Sequence, residues 1–240
     1  MPGYYYWNGT KWYPIASKGN AVGDMQYWNG EKWVLLPIGA SGSVLTVCGG
    51  VPTWGGCGPI TLQPNNNPDE GHVDSYNNIG GTGDTEIPVG AWTVSGYQIN
   101  WRELLKFDFS QIPPNATIVS AKLYLYAIPN PHGGDFINAH SGSANACCIE
   151  RITMNWTFTG MTWVNQPPSV ATNRAVIPQS VSAFANNTID VTALVKDMLT
   201  NGNYGFKISL QNETIYNIRQ YASSYYSNAA LNPKLVITYQ

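Results

Sequence analysis

Trp101-Arg102-Glu103-Leu104-Leu105-Lys106-Phe107-Asp108-Phe109 and Ala121-Lys122-Leu123-Tyr124-Leu125-Tyr126-Ala127 decide the fold class. Both runs alternate in the strand manner, a period of two that turns one row of side chains to a core and the other away from it. The same pattern returns in Phe206-Lys207-Ile208-Ser209-Leu210 and Leu235-Val236-Ile237-Thr238-Tyr239. Turn clusters separate the runs, at Pro113-Pro114-Asn115, Pro129-Asn130-Pro131-His132-Gly133-Gly134 and Asn165-Gln166-Pro167-Pro168. Many short strands with polar turns predict an all-β chain, an antiparallel sandwich or barrel. One short helix is expected: Val191, Leu194, Val195 and Met198 fall at helical spacing, with Asp190 as its cap and Asn201-Gly202 as its stop.

Upstream the pattern changes. Tyr6-Trp7-Asn8-Gly9-Thr10-Lys11-Trp12 recurs as Tyr27-Trp28-Asn29-Gly30-Glu31-Lys32-Trp33. Asn-Gly between aromatic residues predicts a tight hairpin with a type I′ turn, both central residues at positive φ, and a tryptophan on each arm. A lone two-stranded hairpin is marginal in water, so these units are expected to lean on each other, on the main domain or on further copies of the chain. Pro64-Asn65-Asn66-Asn67-Pro68 reads as a polar hinge. The expected division is a β-hairpin repeat region over residues 1–58 and a sandwich over 59–240.

Charged residues make up only 11% of the 240, with a net charge of −2, so no long-range field draws nucleic acid or an anionic membrane. No apolar run is long enough for a transmembrane helix. The N-terminus lacks the basic and apolar regions of a signal peptide, which leaves a processed secreted protein or a virion protein released by lysis. Cys48 and Cys57 bracket a turn-rich segment and are expected to form a disulfide. For the adjacent Cys147 and Cys148 one buried and one exposed thiol is expected. Neither pair has zinc-site spacing.

Two resemblances follow from these motifs. Gly23-Asp24-Met25-Gln26-Tyr27-Trp28-Asn29-Gly30-Glu31-Lys32-Trp33, continued by Gly39-Ala40-Ser41-Gly42-Ser43-Val44-Leu45-Thr46 and Pro52-Thr53-Trp54, resembles segments of phage tail fibres and Bacteroidetes surface proteins. That likeness covers about residues 21–58 and implies an oligomerising stalk or anchor, often trimeric. The run from Trp101 through Ile112-Pro113-Pro114 to Tyr126 resembles the DNRLRE domain family, as do Trp163-Val164-Asn165-Gln166-Pro167, Asp190-Val191-Thr192 and Asn232-Pro233-Lys234-Leu235 in the same order. It spans roughly residues 60–240 and implies a jelly-roll β-sandwich, with some relatives acting as non-catalytic modules for acidic polysaccharides such as alginate. The chain departs from that pattern at Phe158-Thr159, in a Gly- and Ser-rich insertion over 133–148, and in its few basic residues.

No nucleophile elbow, His-Glu-x-x-His, Walker loop or dinucleotide fingerprint is present, and a non-enzymatic protein is expected. Asp69, Glu70, Asp74, Asp84 and Glu86 form an acidic cluster. Asp69, Glu70 and Asp74 are candidate Ca²⁺ ligands, since Ca²⁺ takes several hard oxygens. A solvated acidic loop reads equally well, and a glycosidase carboxylate pair less well. For a sugar, whose apolar ring face stacks on an aromatic, two stretches stand out: Trp92 and Tyr97 beside Gln98 and Asn100, and Tyr216, Arg219, Tyr221, Tyr225 and Tyr226 among Asn217, Gln220 and Asn228. Half-buried strand aromatics are the competing reading, and Trp156 and Trp163 are expected in the core. The functional expectation is a homo-oligomeric, fibre- or spike-like protein on a virion surface or outside a cell, binding a surface glycan or receptor. A secreted bacterial adhesin is the alternative, and a glycan-cleaving enzyme a third.

Overall fold

The computed structural model describes residues 5–7, 9–14, 19–48, 50–54, 58–65, 69–112, 116–180 and 182–240. The chain separates into two compact units, Met1–Gly58 with Tyr239–Gln240, and Pro59–Thr238. Among the described residues no helix is long and apolar enough to cross a membrane.

The described residues of the first unit form three antiparallel hairpins: β1 (Tyr5–Trp7) with β2 (Trp12–Pro14), β3 (Met25–Trp28) with β4 (Trp33–Leu36), and β5 (Leu45–Cys48) with β6 (Val51–Trp54). The tryptophans meet across the strands, Trp7 to Trp12 at 5.6 Å between centroids and Trp28 to Trp33 at 5.9 Å. The turn differs from the type I′ expected. Trp28 pairs with Trp33, which leaves a four-residue loop. Gly30 sits at φ 101, while Asn29 works through its side chain, whose Oδ1 accepts from the amides of Glu31 and Lys32 at 3.0 and 2.8 Å. Asparagine supplies an acceptor there rather than a left-handed backbone. Asp24 ties this hairpin to its flanks, accepting from the amides of Asn20, Ala21 and Ile38. The Trp54 indole donates to the Pro37 carbonyl at 2.7 Å, over Gly39, where a Cβ would lie 2.5 Å from the ring. Cys57, the expected partner of Cys48, lies outside the described residues.

The second unit is a β-sandwich. Its strands are β7 (Ile60–Leu62), β8 (Glu70–Asp74), β9 (Ile79–Gly81), β10 (Glu86–Val94), β11 (Tyr97–Leu105), β12 (Ile118–Leu125), β13 (His140–Ser141), β14 (Cys147–Ile152), β15 (Ser169–Ile177), β16 (Asn187–Asp190), β17 (Phe206–Leu210), β18 (Asn217–Ala222) and β19 (Lys234–Tyr239). One sheet runs β13-β18-β10-β11-β17-β14-β15, with β8 on β11 and β9 on β8; the other runs β16-β12-β19-β7. The alternation read from the sequence is present in the burial: Ala121, Leu123 and Leu125 are interior while Lys122 is exposed, and Phe206, Ile208 and Leu210 are interior. A smaller cluster of Val73, Leu104, Ile152 and Met161 is covered by Trp156, Phe158, Trp163 and Tyr204, so both framework tryptophans are half-buried lids rather than deep core.

The helix α1 (Thr192–Asn201) packs Leu194, Val195 and Met198 onto β12, β14 and β15. Burying such side chains contributes about 1.5–3 kcal/mol each. Its N-cap is Val191 rather than Asp190, whose carboxylate instead accepts from the Thr192 amide at 2.9 Å. Gly202 stops it at φ 95. Cys147 and Cys148 are both buried free thiols, against the expectation of one exposed. β14 is flanked on both sides, by β17 and β15, and Cys148 Sγ lies 3.3 Å from Ser209 Oγ of the neighbouring strand.

Candidate functional site

At one end of the larger sheet β10 and β11 meet in a two-residue turn, Ser95-Gly96, with φ of 51 and 85. Here, and not at Asn29-Gly30, both central residues adopt the left-handed backbone of a tight hairpin. The register pairs Trp92 with Ile99 and Val94 with Tyr97. Opposite residues of an antiparallel pair share a face, and so do residues two apart. Trp92, Val94 and Tyr97 therefore point the same way, standing on the buried Ile99.

Neighbouring strands lengthen the row. β18 pairs Asn217 with Ala91, which brings Tyr216 beside Trp92; their rings lie 5.3 Å apart, edge to face. On the other side Tyr76, in the turn after β8, lies 6.2 Å from the Tyr97 ring. Asp74 shapes that turn: its Oδ1 accepts from the amides of Tyr76 and Asn77, and its Oδ2 from Asn77 Nδ2. The result is a strip of four aromatic rings across four adjacent segments. Tyr76, Tyr97 and Tyr216 are 42%, 68% and 54% exposed. Tyr216 holds its place with φ at 66, a conformation uncommon for a non-glycine residue.

Trp92, Tyr97 and Tyr216 thus come together, from stretches more than a hundred residues apart. Tyr76 was missed, because a tyrosine inside Asp74-Ser75-Tyr76-Asn77-Asn78 reads as turn filler; the Asp-x-x-Asn spacing was the available signal. The other candidates lie elsewhere. Arg219 and Tyr221 belong to β18, every residue of which is buried. Arg219 donates to the carbonyls of Asn145 and Pro178 and to Asn187 Oδ1, and the Tyr221 hydroxyl donates to the same Asn187 oxygen at 2.8 Å. Both are interior struts. Tyr226 packs on Ala127, Ile128 and Ala139, and the Tyr225 hydroxyl donates to Thr82 Oγ1. A strand buried on both faces shows no alternation, which is why its polar residues looked like a loop.

The proposed calcium ligands do not converge. Glu70 and Asp74 share a face of β8 four residues apart, about 13 Å along a strand. Asp69 lines a separate depression with Lys106, Asp108 and Asn203. Among the described residues no three His, Cys, Asp or Glu side chains gather as metal ligands would. What β8 does build is a small pocket lined by Glu70, His72, Asp84, Glu86 and Glu103. Glu103 is 1% exposed and neither carboxylate oxygen has a hydrogen-bond partner. Burial first, then the neighbouring Glu70, pushes its pKa well above the carboxylate range. Glu70 accepts from the Ser224 amide, yet burial raises it to about 7. His72 Nδ1 lies 3.3 Å from Asp84 Oδ2, while burial lowers its pKa. Glu70 and Glu103 are enclosed carboxyls whose burial favours the protonated form, not a pair flanking an open cleft.

Chemically the aromatic strip offers flat apolar ring faces edged by amides, a surface for a ligand with one apolar and one hydroxylated aspect. No curated protein matches the chain. A sequence profile does match over residues 76–239, about two thirds of the length, and that span contains the whole strip. The profile describes carbohydrate-binding module family 96, and the chain belongs to that family.

Proposed function

We propose that this is a non-catalytic, surface-displayed glycan-binding protein of the fibre or spike kind, carried on a virion. In this reading the strip of Tyr76, Tyr97, Trp92 and Tyr216 holds the sugar, and the hairpin unit joins copies of the chain into an oligomer. The observation that carries the first part is the strip itself: four aromatic rings, three of them exposed, gathered from four segments in a carbohydrate-binding-module domain. A non-catalytic role fits the carboxylates, since Asp74 is spent on its own turn and Glu70 and Glu103 are enclosed. The second part is supported by the first unit's surface. None of the described residues among 1–58 is buried, and Trp7, Trp12, Trp28 and Trp33 are all about half exposed or more. Rings left open in this way suit contact with a partner copy.

Retardation in gels containing dissolved polysaccharides tests the site. Tyr97→Ala, at a largely exposed position, is expected to weaken retention by about tenfold, equivalent to about 1.4 kcal/mol. Unchanged retention in both Tyr97→Ala and Tyr216→Ala removes the strip from consideration. Light scattering tests assembly: the full chain should exceed its monomer mass and residues 59–240 should not.

A further inference from the structure

We infer that the strip is built for a neutral, hydroxyl-rich glycan and not for a polyuronate or other anionic polysaccharide. The inference rests on the reading that the strip holds the sugar, and it comes from the charges that surround the rings. An anionic chain needs cationic donors within reach of its carboxylates, because uncompensated ones lose hydration without gaining a partner. The stretches that form the strip, residues 74–79, 92–101 (both arms of the β10–β11 hairpin) and 211–217, contain no Lys, Arg or His. Their two charged residues are both acidic, Asp74 and Glu213.

The nearest guanidinium along β11 is already committed. Arg102 Nε and Nη2 donate to the two carboxylate oxygens of Glu213 at 2.7 and 2.9 Å, the two-pronged geometry that matches a carboxylate best. Its Nη1 donates to Gln166 Oε1, and the guanidinium face lies 4.2 Å from the Trp163 ring centre. Glu213 thus already takes the pair of donors that Arg102 could offer a carboxylate. Around it the polar groups are amides and hydroxyls: Gln98 bridges Asn100 Oδ1 and the Glu213 carbonyl, and Asn77, Asn78, Ser95 and Thr214 are exposed. Neutral donors and acceptors suit sugar hydroxyls, which take and give hydrogen bonds without a charge to balance. Aromatic rings beside them take the apolar ring face.

The test sets the full chain against two sets of polysaccharide, glucomannan and mixed-linkage β-glucan against polygalacturonate and alginate, at low and high NaCl. The expected result is binding to a neutral polysaccharide that changes less than about twofold with salt, because no ion pair is there to be screened. Polyuronate binding should be at least about tenfold weaker. Glu213→Gln, which frees Arg102, should raise polyuronate binding and leave neutral binding in place. Tight, salt-sensitive polyuronate binding that Tyr97→Ala abolishes overturns the neutral class while leaving the strip as the site. Neutral binding that Tyr97→Ala and Tyr216→Ala both leave intact overturns the strip itself. No retention by either neutral polysaccharide also overturns the inference.

Discussion

Tryptophan does opposite work in the two units. In the hairpins Trp28 and Trp33 pair across a strand and stay about half exposed, with no buried residue beneath them among those described. In the sandwich the Trp156 indole donates to the Tyr204 carbonyl at 2.6 Å and its ring closes over Val73, Leu104, Ile152 and Met161. The hairpins are fixed by short-range devices: an Asp24 carboxylate on three amides, an Asn29 turn, one indole on Pro37. The sandwich is fixed by residues distant in sequence, such as Phe107 on Phe206, and Leu123 beside Ile189 across β12 and β16. Stability held in local contacts can be lost one turn at a time, whereas a packed core is lost all together.

The largest effect should follow from opening that core. Phe206 is fully buried, 6.2 Å from Phe107. Phe206→Ala should reduce the unfolding free energy of the sandwich by about 3–5 kcal/mol in a urea titration. Trp28→Ala, which removes a pair of comparable geometry from a surface hairpin, should change it by well under 1 kcal/mol. Similar losses from both would mean that the hairpin is part of one cooperative core, and the contrast between the units would fail.

Much of this contrast was legible in the sequence. The period-two runs around Leu123 and Ile208 became sandwich strands, and the repeated Trp-Asn-Gly motif became hairpins with facing tryptophans. Legibility stopped where burial ceases to alternate. Asn217 to Ala222 is polar enough to read as a binding loop, yet each side chain is enclosed, so Arg219 and Tyr221 became struts. The strip was half visible: Trp92, Tyr97 and Tyr216 stood out by type, but nothing local shows that β18 and β10 place two of them 5.3 Å apart. Proximity across strands is set by register, which a single sequence does not display.

A smaller effect, and one that depends on pH, should come from the enclosed carboxyls. Glu70 has a folded-state pKa of about 7, above the ordinary value of 4.5, so the folded protein holds a proton that the unfolded chain has released. Stability should then fall as pH rises from about 4.5 to 7, by on the order of 3 kcal/mol for Glu70, and Glu103 should extend the decline to higher pH. Glu103→Gln keeps the shape without the charge. It should raise the melting temperature at pH 8 and flatten the pH profile, while the hairpin unit, with no such cavity among its described residues, should contribute no slope. If the variant is destabilised equally at every pH, or if a chelator lowers the wild-type melting temperature, the cavity holds a cation rather than protons.

The smallest effect belongs to the turn of the second hairpin. Gly30 has φ at 101 with open space where a Cβ would go, so Gly30→Ala meets no clash and pays only backbone strain, about 1 kcal/mol. Because the Asn29 acceptor and the Trp28–Trp33 pair stay in place, the loss should remain local. Hydrogen exchange should quicken at the amides of Asn29, Glu31 and Lys32, while those of β12 and β17 keep their protection. Protection lost in the sandwich strands as well would show that a strained turn in one unit reaches the core of the other. The two regions would then have to be treated as a single folding unit despite their different construction.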